Sequence, residues 1–280
     1  MNPKIPSRLI EASVKVEGGS RWLSDLPNMI KNASEHWKIE VSEPFDSPDV
    51  SCAWVAEARR TDGSTVVLKI GMPHMEAMDE IAGLRFWDGA PTVRLLDADD
   101  EANAMLLERC IPGSSLRQES ADFQDEIVAR LLRTMWRKPT HATFRPLSEL
   151  TTYWCQEAVT RLGTNDDERV VREGVSLMEE LANSPSDDVL LATDLHAGNI
   201  LRSEREPWLV IDPKPFVGDP AFDATQHLFN NKERLFEDPR RVIGNFALKL
   251  GVDPERVWLW AFARTAIDAP STAPRLGRPL

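Results

Sequence analysis

The sequence predicts an α+β fold, a small antiparallel strand-rich N-terminal lobe followed by a larger helical C-terminal lobe. Three observations carry this. Strand signals cluster between residues 52 and 109, as short β-branched or apolar runs separated by turn residues. Amphipathic helical periods dominate from residue 121 onward. Between them, IPGSSL at 111–116 breaks regular structure with its Pro, Gly and paired Ser. Residues 1–110 therefore read as one lobe and 111–280 as the other.

The elements follow in order. Trp22, Leu26, Met29, Ile30, Ala33 and Trp37 recur at a period near 3.6, which predicts a helix over 21–38, capped at Ser24 or Asp25 with Pro27 in its first turn. Residues 52–60 and 65–70 (TVVLKI) read as strands, joined by Asp62-Gly63, a dipeptide suited to the positive φ of tight hairpin turns. A helix is expected over 74–87. Two further strands, 91–96 and 104–109, flank the acidic turn of 97–103. Helices are then expected over 121–137, 147–162, 166–183, 222–235, 238–250 and 253–267, with a β-like interruption at 189–212.

Composition narrows the function classes. The chain has 280 residues, and 45 acidic against 33 basic side chains give a formal charge of −12. That balance argues against nucleic acid as a partner, because binding to phosphate backbones rests on basic patches. No apolar run reaches the length of a membrane span. The opening MNPKIPSRLIEASVKVEGG lacks the apolar core of a signal peptide. Cys52, Cys110 and Cys155 are odd in number and widely spaced, which suits neither a disulfide framework nor a structural zinc site. The expectation is a soluble protein of a reducing cytoplasm.

The chemistry concentrates in 193–223, TDLHAGNILRSEREPWLVIDPKPFVGDPAFD. Asp194, His196 and Asn199 form D-x-H-x-x-N, and a hairpin pattern then leads to Asp212. Phosphoryl transfer wants these types together. One Asp can orient an acceptor hydroxyl and take its proton, while an Asn oxygen and a second carboxylate suit Mg²⁺. The order D-x₄-N-x₁₂-D matches the protein-kinase template. In the N-terminal half, VVLKI places Lys69 near the end of a strand, where a phosphate-contacting lysine stands in that template. Glu76 and Glu80 both offer it a carboxylate. MLLER at 105–109 has the character of a hinge strand.

Each residue also has a plainer reading. Asp and Asn favour turns. His196 inside such a loop is better suited to an orienting hydrogen bond than to catalysis. A metallohydrolase would need more His ligands, and His36, His74, His141 and His227 make no short pair with it. Asp219 and Asp223 read as helix caps and braces of the metal-side loop. The nine Trp read mainly as core, and the acidic runs as solvated turns.

At this level the chain resembles the aminoglycoside phosphotransferases, in particular the streptomycin 6-phosphotransferase and hydroxyurea kinase branch. The likeness runs through RWLSDLP, DGSTVVLKI, EIAGLRFWDG, MLLERCIPGSSL, DLHAGNIL, WLVIDPKPFVGDPAFD and RVWLWAFAR, which span most of the chain. It implies a protein-kinase-like two-lobed fold and an ATP- and Mg²⁺-dependent kinase acting on a hydroxyl of a cationic substrate, streptomycin foremost, with antibiotic resistance as its role. Asp194 would be the base, Asn199 and Asp212 the metal ligands and Lys69 the phosphate clamp. The EIAGLRFWDG block favours Glu80 as the partner of Lys69, and the backbone from Glu108 to Cys110 would face adenine. Carboxylates of the helical lobe would line the pocket of a polycationic substrate. Hydroxyurea or a metabolite is the alternative acceptor, and a nucleotide-binding pseudokinase the alternative class.

Two departures from the family pattern stand out. The family has His-Gly before the base, and this chain has Ala192-Thr193. Alanine cannot brace the metal segment by a side-chain hydrogen bond, which predicts a structural or rate penalty. The expected phosphate loop, 46–53 (DSPDVSCA), contains no glycine, so close backbone approach to phosphate is harder to argue there.

Overall fold

Side-chain alternation along strands builds the first unit around one sheet. The computed structural model describes residues 3–46, 52–140, 143–162, 168–184, 187–268 and 275–278. The chain divides into two units, Met1–Ser114 with Leu201–Ile211, and Ser115–Ile200 with Asp212–Leu280. The expected phosphate loop falls largely at 47–51, outside the described residues.

The first unit opens with α1 (Ser7–Ser13) and α2 (Gly19–Trp37). The helix expected over 21–38 thus begins earlier, and Pro27 lies in its interior rather than its first turn. Tight packing sets that start. A side chain at position 19 would meet the Ser13 carbonyl oxygen at 2.2 Å, so glycine lets α1 and α2 touch. Strands β1 (Ile39–Pro44), β2 (Ala53–Arg60) and β3 (Thr65–Gly71) follow, then a 3₁₀ turn (Met75–Ala77) and α3 (Glu80–Trp87). The helix expected over 74–87 is therefore two pieces, and the break makes Glu80 the first residue of α3. Strands β4 (Leu95–Asp99) and β5 (Ala104–Glu108) complete an antiparallel sheet in the order β1-β2-β3-β5-β4.

Alternation sends Val66, Leu68 and Ile70 of β3, with Ala104 and Leu106 of β5, into a core with Trp22, Leu26 and Ile30 of α2. Val67 of β3, with Met105 and Leu107 of β5, faces the opposite way, onto Ile81 and Leu84 of α3. Lys69 shares that second face with Val67 because the two are two residues apart. Residues 91–93, expected as part of a strand, instead pair in parallel with Val210. Pro91 has no N–H to give a ladder, so its segment docks by carbonyl and by Val93 N–H.

The short β6 (Pro112–Ser115) lies in the segment expected to be a connector. The second unit holds α4 (Ala121–Met135), α5 (Leu147–Arg161), α6 (Glu168–Asn183) and β7 (Val189–Leu191). The chain then forms β8 (Ile200–Ser203) and β9 (Trp208–Val210), the predicted hairpin, whose residues 201–211 belong to the first unit. Strand β10 (Phe216–Gly218) pairs antiparallel with β7 in the second unit.

Four helices end the chain, α7 (Pro220–Phe229), α8 (Lys232–Glu237), α9 (Pro239–Leu250) and α10 (Pro254–Asp268). The single helix expected over 222–235 is split, because Asn231 turns its side chain to accept from Arg234 N–H and caps a new helix. Helix α10 packs on α6, α7 and α9 and buries Trp260, Phe262 and Ile267. No described helix is long and apolar enough to cross a membrane.

Candidate active site

Lys69 and Glu80 meet inside the first unit. Lys69 Nζ donates to Glu80 Oε1 and Oε2 at 2.6 and 2.7 Å, and both side chains are buried. Between the two carboxylates open at the sequence level, the geometry selects Glu80. The break before α3 points the start of that helix at the strand face that carries Lys69. Burying two charges costs desolvation that their attraction barely offsets, so such a pair is better explained by what it positions than by stability.

Glu108, at the end of β5, is held by its side chain. Arg205 from the β8–β9 turn forks onto both carboxylate oxygens at 2.8 Å and also donates to the Gly89 and Thr92 carbonyls. Arg205 and the Arg94 N–H hold the Glu108 carboxyl below its ordinary range against the opposing effect of burial. The Glu108 N–H is spent on the Arg94 carbonyl, and the Cys110 carbonyl accepts from Arg109 Nη1 at 2.6 Å. Burial pushes the Cys110 thiol up to about 11, which makes it inert at neutral pH. None of Cys52, Cys110 and Cys155 forms a disulfide.

In the second unit β7 leads directly into the Asp194 loop. Thr193 adopts φ 47° and Asp212 φ 53°. Asp tolerates this left-handed region, but for β-branched Thr it is strained. Two bonds hold Thr193 there. Its N–H donates to Asp223 Oδ1 at 2.7 Å, and its Oγ1 donates to the Lys214 carbonyl at 2.6 Å. The Lys214 N–H in turn donates to the Ala192 carbonyl at 2.9 Å. The brace between base loop and metal segment, expected to be weakened by Ala192, is thus made by the residue after it.

Asp194 is positioned from α7. Its Oδ1 accepts from Gln226 Nε2 at 2.7 Å, and Gln226 Oε1 accepts from Arg264 Nη2 at 2.9 Å. A guanidinium can only donate, so Arg264 decides which end of the amide faces Asp194. Arg264 also donates to Thr225 Oγ1 and lies 5.0–5.3 Å from the ring centres of Trp154, Phe222 and Phe229. Those π faces favour a buried cation.

Asn199 Nδ2 donates to the Asp194 carbonyl at 3.1 Å. Its Oδ1 is therefore the amide's acceptor atom, the orientation a hard cation requires. Asp212 follows β9 and meets Lys214, whose Nζ donates to Oδ1 at 2.6 Å. A carboxylate and an amide oxygen fit Mg²⁺, which keeps several waters and takes few protein ligands. No cluster of three or more His, Cys, Asp or Glu able to hold a metal occurs among the described residues. A cation on Asn199 and Asp212 would complete its shell with water and phosphate oxygens.

The neighbours of these residues have structural duties. His196 Nδ1 accepts from the Gly198 N–H at 2.9 Å and caps the 3₁₀ turn Ala197–Asn199. Asp219 caps α7 and accepts from Arg256 and Trp260. Asp223 accepts from Trp136 Nε1 and from the Ala192 and Thr193 N–H groups. Burial outweighs those donors and pushes its carboxyl up to about 6. Sequence reasoning missed Thr193 as a brace, Lys214, Gln226 and Arg264. Of these only Lys214 carried a signal, a charge between two prolines in an otherwise apolar string.

Residues 36–274 match the profile of the aminoglycoside/hydroxyurea antibiotic resistance kinases. A streptomycin 6-kinase of Streptomyces glaucescens is 34% identical over 278 residues, covering 95% of this chain and 90% of that protein. A hydroxyurea phosphotransferase of Kitasatospora aureofaciens is 34% identical over 272 residues, covering 93% and 78%. Among solved structures, a choline kinase from Streptococcus pneumoniae superposes with a TM-score of 0.64 at 18% identity, covering 86% of this chain and 88% of that one. The fold is protein-kinase-like.

Proposed function

The chain belongs to the aminoglycoside/hydroxyurea antibiotic resistance kinase family, and from that premise we propose that it transfers the γ-phosphoryl group of ATP to a hydroxyl of streptomycin. The observation that carries this reading is the hydrogen-bonded assembly of Asp194, Asn199 and Gln226, in a chain that aligns with streptomycin 6-kinases over almost its whole length.

In this reading Asp194 orients the acceptor hydroxyl and takes its proton as the oxygen–phosphorus bond forms. The bond from the γ-phosphorus to the bridging oxygen breaks, and ADP leaves with that electron pair. Gln226 holds one oxygen of Asp194, which directs the other toward the acceptor. Lys69, aimed by Glu80, contacts the nucleotide phosphates. Asn199 Oδ1 and Asp212 would hold Mg²⁺, which when bound would supply neutralisation of charge on the phosphate oxygens. Positioning and electrostatics do most of the work in such a transfer. The segment Glu108–Cys110 reads the adenine edge through groups other than the Glu108 N–H and the Cys110 carbonyl. We place the reaction in the cytoplasm, where ATP is held and thiols persist.

The test is incubation of the full chain with ATP, Mg²⁺ and streptomycin, followed by mass spectrometry, with Asp194→Ala as control. The drug gains one phosphoryl group only with the intact chain. An unmodified drug removes streptomycin as the substrate. Hydroxyurea is then the second substrate to try, favoured by the phosphotransferase of Kitasatospora aureofaciens.

A further inference from the structure

The proposed transfer gives no part to the buried Lys214. Lys214 is 4% exposed, and its Nζ lies 2.6 Å from Oδ1 of Asp212, the carboxylate proposed to hold the metal. Its backbone is fixed on every side. The N–H donates to the Ala192 carbonyl and the carbonyl accepts from Thr193 Oγ1. Pro213 and Pro215 flank it, which fixes their own φ angles and restricts Lys214 to extended backbone. An ammonium so placed cannot leave its carboxylate without being stranded in a poorly solvated interior.

The protein-kinase template holds two Mg²⁺ ions on the Asp and Asn of this constellation. A carboxylate serves two ions most readily when both of its oxygens are open to metal. Here one oxygen already faces the Lys214 ammonium at 2.6 Å. A divalent ion on the same oxygen would meet that charge at close range.

We infer that Lys214 is a built-in cation that takes the place of the second metal, so that this chain works with one divalent ion per bound nucleotide. The inference rests on the kinase reading above. It assigns Lys214 a positioning role on Asp212: the lysine turns one carboxylate oxygen away from metal and leaves the other to bind it.

The experiment counts metal rather than activity. The full chain is saturated with a non-hydrolysable ATP analogue and titrated with Mn²⁺, and bound ion per nucleotide is read by electron paramagnetic resonance. The expected result is one Mn²⁺ in the wild type and in Lys214→Arg, and two in Lys214→Met and Lys214→Gln. Two ions in the wild type overturn the inference, whatever the variants do. One ion in every folded variant also overturns it, because the lysine is then not what excludes the second. If Lys214→Met does not fold, Lys214→Gln, which keeps a polar head, decides. Failure of the wild type to bind the analogue at all is a different result, since it overturns the kinase reading itself.

Discussion

Gln226 Nε2 lies 2.7 Å from Asp194 Oδ1, and Arg264 Nη2 turns the amide that way by donating to Gln226 Oε1 at 2.9 Å. The orientation of the proposed base is thus set through Gln226 by an arginine on α10. The relay converts the packing of the last helix into the placement of one oxygen.

Gln226→Leu should lower kcat between ~10- and 100-fold, because a small displacement of a catalytic group costs rate on that scale. Gln226→Glu should be worse, since it keeps an acceptor for Arg264 but sets oxygen against oxygen at Asp194. The KM for ATP should stay within about twofold in both, since neither change touches the proposed phosphate contacts. Steady-state kinetics on the two variants checks this. A rise in KM with kcat intact would show that Gln226 serves nucleotide binding instead.

Lys69→Met should both abolish transfer and destabilise the first unit. It leaves the Glu80 carboxylate buried without its cation, a loss of about 3–5 kcal/mol. The double variant Lys69→Met, Glu80→Gln should recover most of that stability and none of the activity. Urea unfolding alongside a transfer assay separates the two effects. Recovery of activity in the double variant would remove Lys69 from the phosphate-contacting role.

Thr193 offers a test of backbone strain. Thr193→Val loses the bond to the Lys214 carbonyl and keeps the left-handed φ, which should cost about 1–3 kcal/mol. Thr193→Gly loses the same bond but relieves strain of about 1–3 kcal/mol. The glycine variant should therefore be close to wild type in chemical denaturation. Equal losses in both would mean that the φ of 47° carries no strain.

Asp223 should give the stability a pH dependence with a definite sign. Burial raises its folded pKa to about 6, above the ordinary aspartate value of about 3.9. The folded state then binds the proton more tightly, so this group's contribution grows as pH falls from about 6 toward 4. Asp223→Asn cannot charge and lacks that trend. Relative to it, the wild type should gain on the order of 1 kcal/mol between pH 7 and pH 5, from ~1.4 kcal/mol per pKa unit. Paired denaturation curves at the two pH values measure it, and an opposite trend would show that the three hydrogen-bond donors outweigh burial.

Local rules made much of this protein legible. The turn at Asp62-Gly63, the alternation in β2, β3 and β5, and the period of α2 are short-range patterns, and the elements appear close to where those patterns end. Lys69, Asp194, Asn199 and Asp212 stood out as candidates because the proposed chemistry demands particular residue types at particular spacings. Helix breaks were less visible. The interruptions before Glu80 and at Asn231 depend on where the chain must turn to dock, and propensity over the same residues allows one continuous helix.

The sequence by itself determined the α+β division, the reacting residue types and the family. Tertiary structure decided which carboxylate Lys69 meets, how Asp194 is oriented and what replaces the missing brace at Ala192. The reason is distance along the chain. Asp194 and Gln226 are 32 residues apart, and Gln226 and Arg264 are 38 apart. No local periodicity links such positions. Their contact follows from the packing of α10 on α7, and a single polar residue on a buried helix face carries no sign of which distant atom it will meet.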